Sequence, residues 1–306
     1  MRKRLQSAAV SLLTILLLAG CGAEAKMPVE DHPAVPKEDP PPVASEWSYR
    51  VEIQEYDRTT QTEDGTVLVK VQAQIPEMSV VDAEGHLLPR EEISEEAQTV
   101  VKTFNEQFSG WTSEEDLDDL TKTAKEDLTW AQEAGEQWLG PYTRELTTSI
   151  YQTDQLISVA GRVASYTGGA HPNTARVSWN FDLEHGQPFT GKSICSSEDT
   201  KFKTAVSEEL IRQAQAITWD QDTTTEEMFW PDYESILQDW DSYTVYFDET
   251  GMTVAFSPYE LGCYAAGEQI FHLSYDWITD HIPCPNGCRV LDLPVPEMEE
   301  SDSDSH

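Results

Sequence analysis

The most reactive side chains in this 306-residue chain are five cysteines, Cys21, Cys195, Cys263, Cys284 and Cys288. The run His281-Ile-Pro-Cys284-Pro-Asn-Gly-Cys288 places one imidazole and two thiols close together, donor types that zinc accepts. Its spacing is not that of a zinc knuckle, however, and no fourth donor follows nearby. In an oxidising compartment the four cysteines after Cys21 suggest up to two disulfides. Pro285-Asn286-Gly287 reads as a turn that lets Cys284 meet Cys288. A Cys284–Cys288 disulfide without metal is therefore expected, with a site at His281 as the alternative. The pairing of Cys195 and Cys263 stays open.

Enzyme templates are missing: there is no Gly-x-Ser-x-Gly elbow, no His-Glu-x-x-His pair and no phosphate-cradling glycine loop followed by Lys. Neighbouring carboxylates are abundant, but with 56 Asp and Glu in the chain their proximity implies neither a shifted pKa nor a glycosidase. No catalytic residue and no cofactor is expected. Against those acids stand 20 Lys and Arg, a formal net charge of -36 that would repel nucleic-acid phosphates. Basic or neutral partners fit better. The 39% of hydrophobic residues is enough to bury a core, which excludes wholesale disorder.

The elements that must position such a surface begin with an address. Arg2, Lys3 and Arg4, the apolar run Leu12 to Leu18, and Ala19-Gly20 read as a secretory signal peptide over residues 1–20. The run is shorter than the ~20 residues that a membrane-spanning helix needs. Leu18-Ala19-Gly20-Cys21 resembles the bacterial lipobox, which implies diacylglycerol on the Cys21 sulfur and a further acyl chain such as palmitate. At ~0.8 kcal/mol per buried methylene, more than one chain anchors stably. Removing the signal leaves 17 bases against 56 acids, a net charge of -39. The expected location is extracytoplasmic, on the cell membrane. Residues 21–46 hold six prolines and read as a solvated tether, reaching roughly 80 Å at ~3.1 Å per residue.

Past Trp47 the pattern becomes that of a folded α+β unit. Tyr49, Val51 and Ile53, then Val67, Val69 and Val71, alternate around Glu63-Asp64-Gly65, which predicts a hairpin. Two stripes, from Ile93 to Trp111 and from Leu117 to Trp138, repeat at three and four and predict helices, with Thr112 and Glu115 spaced as a capping box. Between Glu91 and Trp138 lie 14 acids and 3 bases, the composition of solvated helix faces. Strand patterns return over 142–183, a third helix spans Asp199 to Ile217, and strands follow at 244–247, 252–256 and 269–275. Antiparallel sheet with helices packed on one face is expected, in two small subdomains, 47–166 and 167–291. The acidic tail, residues 292–306, is expected to be disordered.

Two loops make unusual backbone demands, Tyr166-Thr-Gly168-Gly169-Ala-His171-Pro172-Asn173 and Phe256-Ser-Pro258-Tyr259-Glu260-Leu-Gly262-Cys-Tyr264-Ala-Ala-Gly267. In this order, with a helix between them, they resemble the paired extracytoplasmic domains of unknown function in RsiV-type anti-sigma factors and in front of the PdaC deacetylase module. The resemblance covers about Trp47 to Trp277. For the RsiV type it implies an ectodomain that binds lysozyme, and it puts Gly168, Gly169, His171, Pro258 and Tyr259 in contact loops. No sigma-binding segment precedes Cys21 and no deacetylase module follows Leu291, so neither of those roles is expected here.

Independently of that resemblance, the 76 residues between Arg212 and Arg289 contain no Lys or Arg, but 14 acids and 14 aromatics. A basic protein would be steered by such a field and anchored by Tyr and Trp. A glycan would stack on the rings and bond to carboxylates. The expectation is a lipid-anchored binding module for a lysozyme-like basic protein, acting as inhibitor, decoy or sensor accessory. A peptidoglycan-binding module is the alternative, and an unrecognised wall hydrolase a more distant one.

Overall fold

The computed structural model describes residues 47–190, 194, 200–219, 223–281 and 284–294. Alternation produces the first hairpin, β1 (Trp47–Gln61) and β2 (Val67–Asp82), which pair antiparallel from Trp47 opposite Asp82 inward. Its turn is closed by the Gly65 N–H donating to Thr62 O at 3.0 Å, with Gly65 at φ 88°, a conformation that glycine adopts without strain. β1 is an outer strand with no buried residue, whereas β2 buries Leu68, Val69, Val71, Ala73, Met78, Val80 and Val81.

The two predicted helices are α1 (Glu95–Glu106) and α2 (Glu114–Ala134). Each begins at a serine whose hydroxyl accepts a backbone N–H: Ser94 from Ala97 at 3.1 Å and Ser113 from Asp116 at 3.2 Å. The cap of α2 is thus one residue later than the Thr112 capping box expected, because Thr112 closes the 3-10 turn Ser109–Trp111. The α2 stripe also ends earlier than the sequence pattern suggests. Gly135 stops the helix in a left-handed conformation, and Trp138 lies beyond it.

After this helical crossover β3 (Tyr142–Gln152) returns beside β2, and Val69 to Ala73 pair in parallel with Tyr142 to Leu146. This one parallel ladder departs from the expected antiparallel sheet. A strand that leaves a hairpin through two helices can rejoin its neighbour in the same direction. β4 (Leu156–Tyr166), β5 (Asn173–Asp182) and β6 (Gln187–Phe189) complete a six-stranded sheet by antiparallel pairing.

The remaining elements are α3 (Thr200–Gln215), α4 (Thr225–Met228), α5 (Tyr233–Gln238), β7 (Thr244–Asp248), β8 (Gly251–Phe256), β9 (Gln269–Ser274), α6 (Tyr275–His281) and α7 (Pro285–Val290). β7, β8 and β9 form a second, antiparallel sheet. α3 buries the stripe Phe202, Val206, Leu210 and Ala214 in the same core as Val254, Phe256 and Phe271.

Successive residues of a strand face opposite sides, and β4 serves two layers in this way. Ile157 and Val159 join the core with Phe104 and Phe108 of the α1 segment, while Leu156 belongs to the core of the small sheet. Ser158 faces the small sheet as well: its hydroxyl donates to Asn180 Oδ1 at 2.7 Å and accepts the Phe247 N–H at 2.8 Å, and Asn180 Nδ2 donates to Val245 O at 2.8 Å. The described residues belong to one compact unit. The boundary expected at 166/167 falls in the turn of the β4–β5 hairpin, inside one sheet, because these strands pair over nearly their whole length.

The expected Cys284–Cys288 disulfide is not formed. Pro285-Asn286-Gly287 is the first turn of α7 rather than an open turn; Cys284 caps it, and the Cys284 thiol donates to Ile194 O at 3.2 Å. Cys21, the tether, Cys195 and the tail from residue 295 lie outside the described residues. No helix among the described residues is long and apolar enough to cross a membrane.

Candidate binding face

The β4–β5 turn carries the first predicted loop. Gly168 and Gly169 have φ of 95° and 110°, values that an L side chain strains to reach, so the two glycines set the path of the turn. The Tyr166 hydroxyl donates to Gly169 O at 3.0 Å, tying the turn to the end of β4. The His171 ring then stacks on Tyr264, with centroids 4.0 Å apart and planes 17° from parallel.

Tyr264 belongs to the second predicted loop, between β8 and β9. The Glu260 N–H donates to Ser257 O at 3.1 Å, closing a turn with Pro258 and Tyr259 at its centre. Pro258 suits the position where φ is fixed, but Tyr259 sits at φ 74°, where glycine is the usual occupant. A non-glycine residue held there stores about 1–2 kcal/mol of strain. Its surroundings hold it: Trp230 Nε1–H donates to Tyr259 O at 2.9 Å, the Trp230 N–H to Leu261 O at 2.8 Å, and the Cys263 N–H to Met228 O at 3.1 Å. Gly262 is required there, since a Cβ would lie 2.2 Å from Met228 O.

Ion pairs clamp this loop to the hairpin. Glu268 accepts from Arg162 Nε at 2.6 Å and from Arg176 Nε at 2.7 Å, bridging β4 and β5, and the Arg176 N–H donates to Ser257 Oγ at 3.0 Å. Burial alone would raise the Glu268 pKa; the two guanidiniums outweigh it and hold the carboxyl below its ordinary value.

The product is one continuous aromatic face. The Tyr259 and Tyr264 rings stand 5.5 Å apart, His171 stacks on Tyr264, and the Trp230 indole is tied to the same turn by its bond to the Tyr259 carbonyl. Tyr259 is 53% exposed, Tyr264 39% and Trp230 36%. Large amphipathic rings on a rigid turn are the chemistry of interface anchors. All five sequence-derived contact residues lie on these two loops, and the structure joins the loops through His171 and Tyr264. Trp230 and Tyr264 were not among them. Tyr264 stands in the second loop singled out from the sequence, whereas the sequence signal for Trp230 is its place in the base-free, aromatic-rich stretch, where Phe229, Tyr233, Trp240, Phe247, Phe256 and Phe271 are buried instead. Asp239 and Asp241 lie at an exposed 3-10 turn, where Asp239 Oδ1 accepts the Asp241 N–H at 3.0 Å.

Elsewhere, Asp82, Glu84 and His86 bring donor atoms within 4.8 Å of one another. Asp82 Oδ1 already accepts the N–H groups of Glu84 and His86, at 3.0 and 2.8 Å, which makes this trio a turn.

Residues 193–276 match the family model described as a protein of unknown function, DUF3298. That region holds the Pro258–Tyr264 half of the face but not Gly168 to His171. No curated protein matches the chain. Among solved structures, a DUF3298-family member from Bacteroides fragilis is 14% identical, with 80% of this chain and 97% of that one covered and a TM-score of 0.54, which shows a shared fold. A DUF3298-family protein from Pseudomonas aeruginosa is also 14% identical, covering 81% of this chain and 98% of that one, with a TM-score of 0.40.

Proposed function

We propose that this chain is a lipid-anchored bacterial cell-surface binding module whose partner is a basic, lysozyme-like protein gripped at the Trp230–Tyr259–Tyr264–His171 face. The observation that carries this reading is the convergence of two loops, about ninety residues apart in sequence, into one exposed aromatic surface that the ion pairs of Glu268 hold rigid. Preformed loops avoid the ordering cost that flexible ones meet on binding. The net charge of -36 suits a basic partner, speeding encounter and raising its local concentration. On this reading the module acts by occupancy, as inhibitor, decoy or sensor accessory.

Calorimetry of the folded domain against lysozyme and against soluble muropeptides tests the partner. Lysozyme should bind, and its affinity should fall steeply with salt as the Debye length shrinks from ~10 Å at 0.1 M to ~3 Å at 1 M. Salt-insensitive muropeptide binding without lysozyme binding would transfer the face to peptidoglycan. The anchor is tested separately: Cys21→Ala should release the protein into the medium, and a variant that still fractionates with membranes ends the lipoprotein reading.

A further inference from the structure

Behind the Gly168–Gly169 turn, the C-terminal half of α2, residues 136–139 and the start of β3 enclose an open cleft of about 570 Å³. Gly168 and Gly169 form one wall of it, so the loop that presents His171 to the aromatic face also borders this cleft. Both glycines have positive φ, and Thr167 lines the cleft beside them.

The lining has a marked chemical bias. Asp127 and Glu136 contribute carboxylates, Trp130 and Trp138 contribute indoles, and no Lys or Arg is present. Trp130 is 61% exposed on an otherwise polar helix face, where an indole gains little from folding. The Tyr142 hydroxyl donates to Asp127 Oδ2. Burial, and then the neighbouring Asp127 carboxylate, push Tyr142 up to about 12, so it keeps its proton near neutral pH and holds Asp127 in place. Asp127 Oδ1 makes no hydrogen bond among the described residues. The cleft also lies where α2 ends, and the last turn of that 21-residue helix carries no base to offset the partial negative charge of its C-terminus.

We infer that this cleft receives a side-chain cation, the ammonium or guanidinium of a Lys or Arg on the partner protein. Carboxylates, a helix C-terminus and two indoles in the lining all favour positive charge, and a cation that settles over an indole gains further as water is displaced. A neutral sugar would use the rings but draw nothing from the field, which is why the observations favour the cation. The inference deepens the partner reading and rests on it: the aromatic face supplies the apolar anchor, and the cleft supplies the register by taking one charged residue.

Tetralysine amide, lysozyme and chitotetraose serve as probes, titrated into the intact domain and into Trp130→Ala and Asp127→Asn at low salt, with intrinsic fluorescence and calorimetry as readouts. Both substitutions leave the core untouched, since Trp130 is exposed and an amide oxygen can still accept from Tyr142; thermal unfolding verifies this. Each variant should lose about fivefold in affinity for tetralysine and for lysozyme, as expected for one cation contact, and chitotetraose should leave the fluorescence unchanged. Lysozyme and tetralysine binding with unaltered affinity in both variants overturns the cation site while leaving the partner reading intact. Tetralysine binding that depends on Trp130 and Asp127, with no lysozyme binding to the intact domain, upholds the site and removes the partner reading. Displacement of tetralysine by chitotetraose in a Trp130-dependent manner reassigns the cleft to a glycan and overturns the inference.

Discussion

The two ends of the β4–β5 hairpin are built from the same ladder and obey opposite rules. At the inner end Ser158 and Asn180 face each other with their polar groups engaged, and Phe181 is fully buried against Phe104 at 5.5 Å between centroids. At the outer end of this ladder, Tyr166 to Asn173 turn through two positive-φ glycines and carry His171 onto an exposed face. The difference teaches that the core end sets the register for the binding end. A one-residue slip would exchange Ile157 for Ser158 in the apolar layer and would move His171 off Tyr264 at the same time. The binding loop can therefore be short of contacts of its own, because a satisfied polar junction and an apolar core determine where its strands end.

The comparison can be broken most forcefully from the inner end. Phe181→Ala should lower unfolding free energy by about 3–5 kcal/mol, read from urea denaturation, since the void lies among Phe104, Ile157 and Val159. At the outer end, Tyr259→Gly should act in the reverse sense. Relief of the strained φ should keep stability at least at its native level, whereas loss of the ring should weaken lysozyme binding by about 2 kcal/mol, chiefly through faster dissociation. A variant that unfolds would return Tyr259 to a purely structural role.

Acid sharpens the same contrast. Asp182, paired with Leu156 at the inner end, is buried, which by itself would raise its pKa; the Arg289 guanidinium and His185 outweigh this and hold it below the usual carboxylate range. A carboxyl with a depressed folded pKa stabilises the fold above its ordinary value of ~4, and that contribution disappears as pH falls through the depressed value. Arg289→Met should therefore cost about 1–2 kcal/mol near pH 7 and flatten this part of the acid limb of the stability curve. The smallest effect belongs to the exposed acids. Asp239→Asn with Asp241→Asn should slow association with lysozyme by about twofold to threefold at low salt, leave dissociation unchanged, and lose even that at 1 M salt. A change confined to the dissociation rate would place these acids inside the contact.

Several of these features could be read from residue order. The first hairpin, the α3 stripe and the β7–β8 hairpin depend on alternation or on three-and-four spacing, and the structure repeats them. Local chemistry also misled. Thr112 and Glu115 have the spacing of a capping box, but Ser113 makes the cap, because Trp111 is drawn into a 3-10 turn by its burial beside Leu146. Pro285-Asn286-Gly287 looks like a free turn, but it folds as the start of α7.

What the sequence by itself determined is whatever a short window can enforce: strand and helix periods, the glycines at 168, 169 and 262, the proline before Tyr259, and the charge of the surface. What only the tertiary structure decided is which windows meet. The parallel return of β3 beside β2, the stacking of His171 on Tyr264, the clamp of Glu268 across Arg162 and Arg176, and the cleft between Trp130 and Gly168 all join residues far apart in the chain. The physical reason is that a period or a backbone preference acts within a few residues, whereas these contacts follow from how two sheets and their helices share buried surface, a property of the whole packed unit.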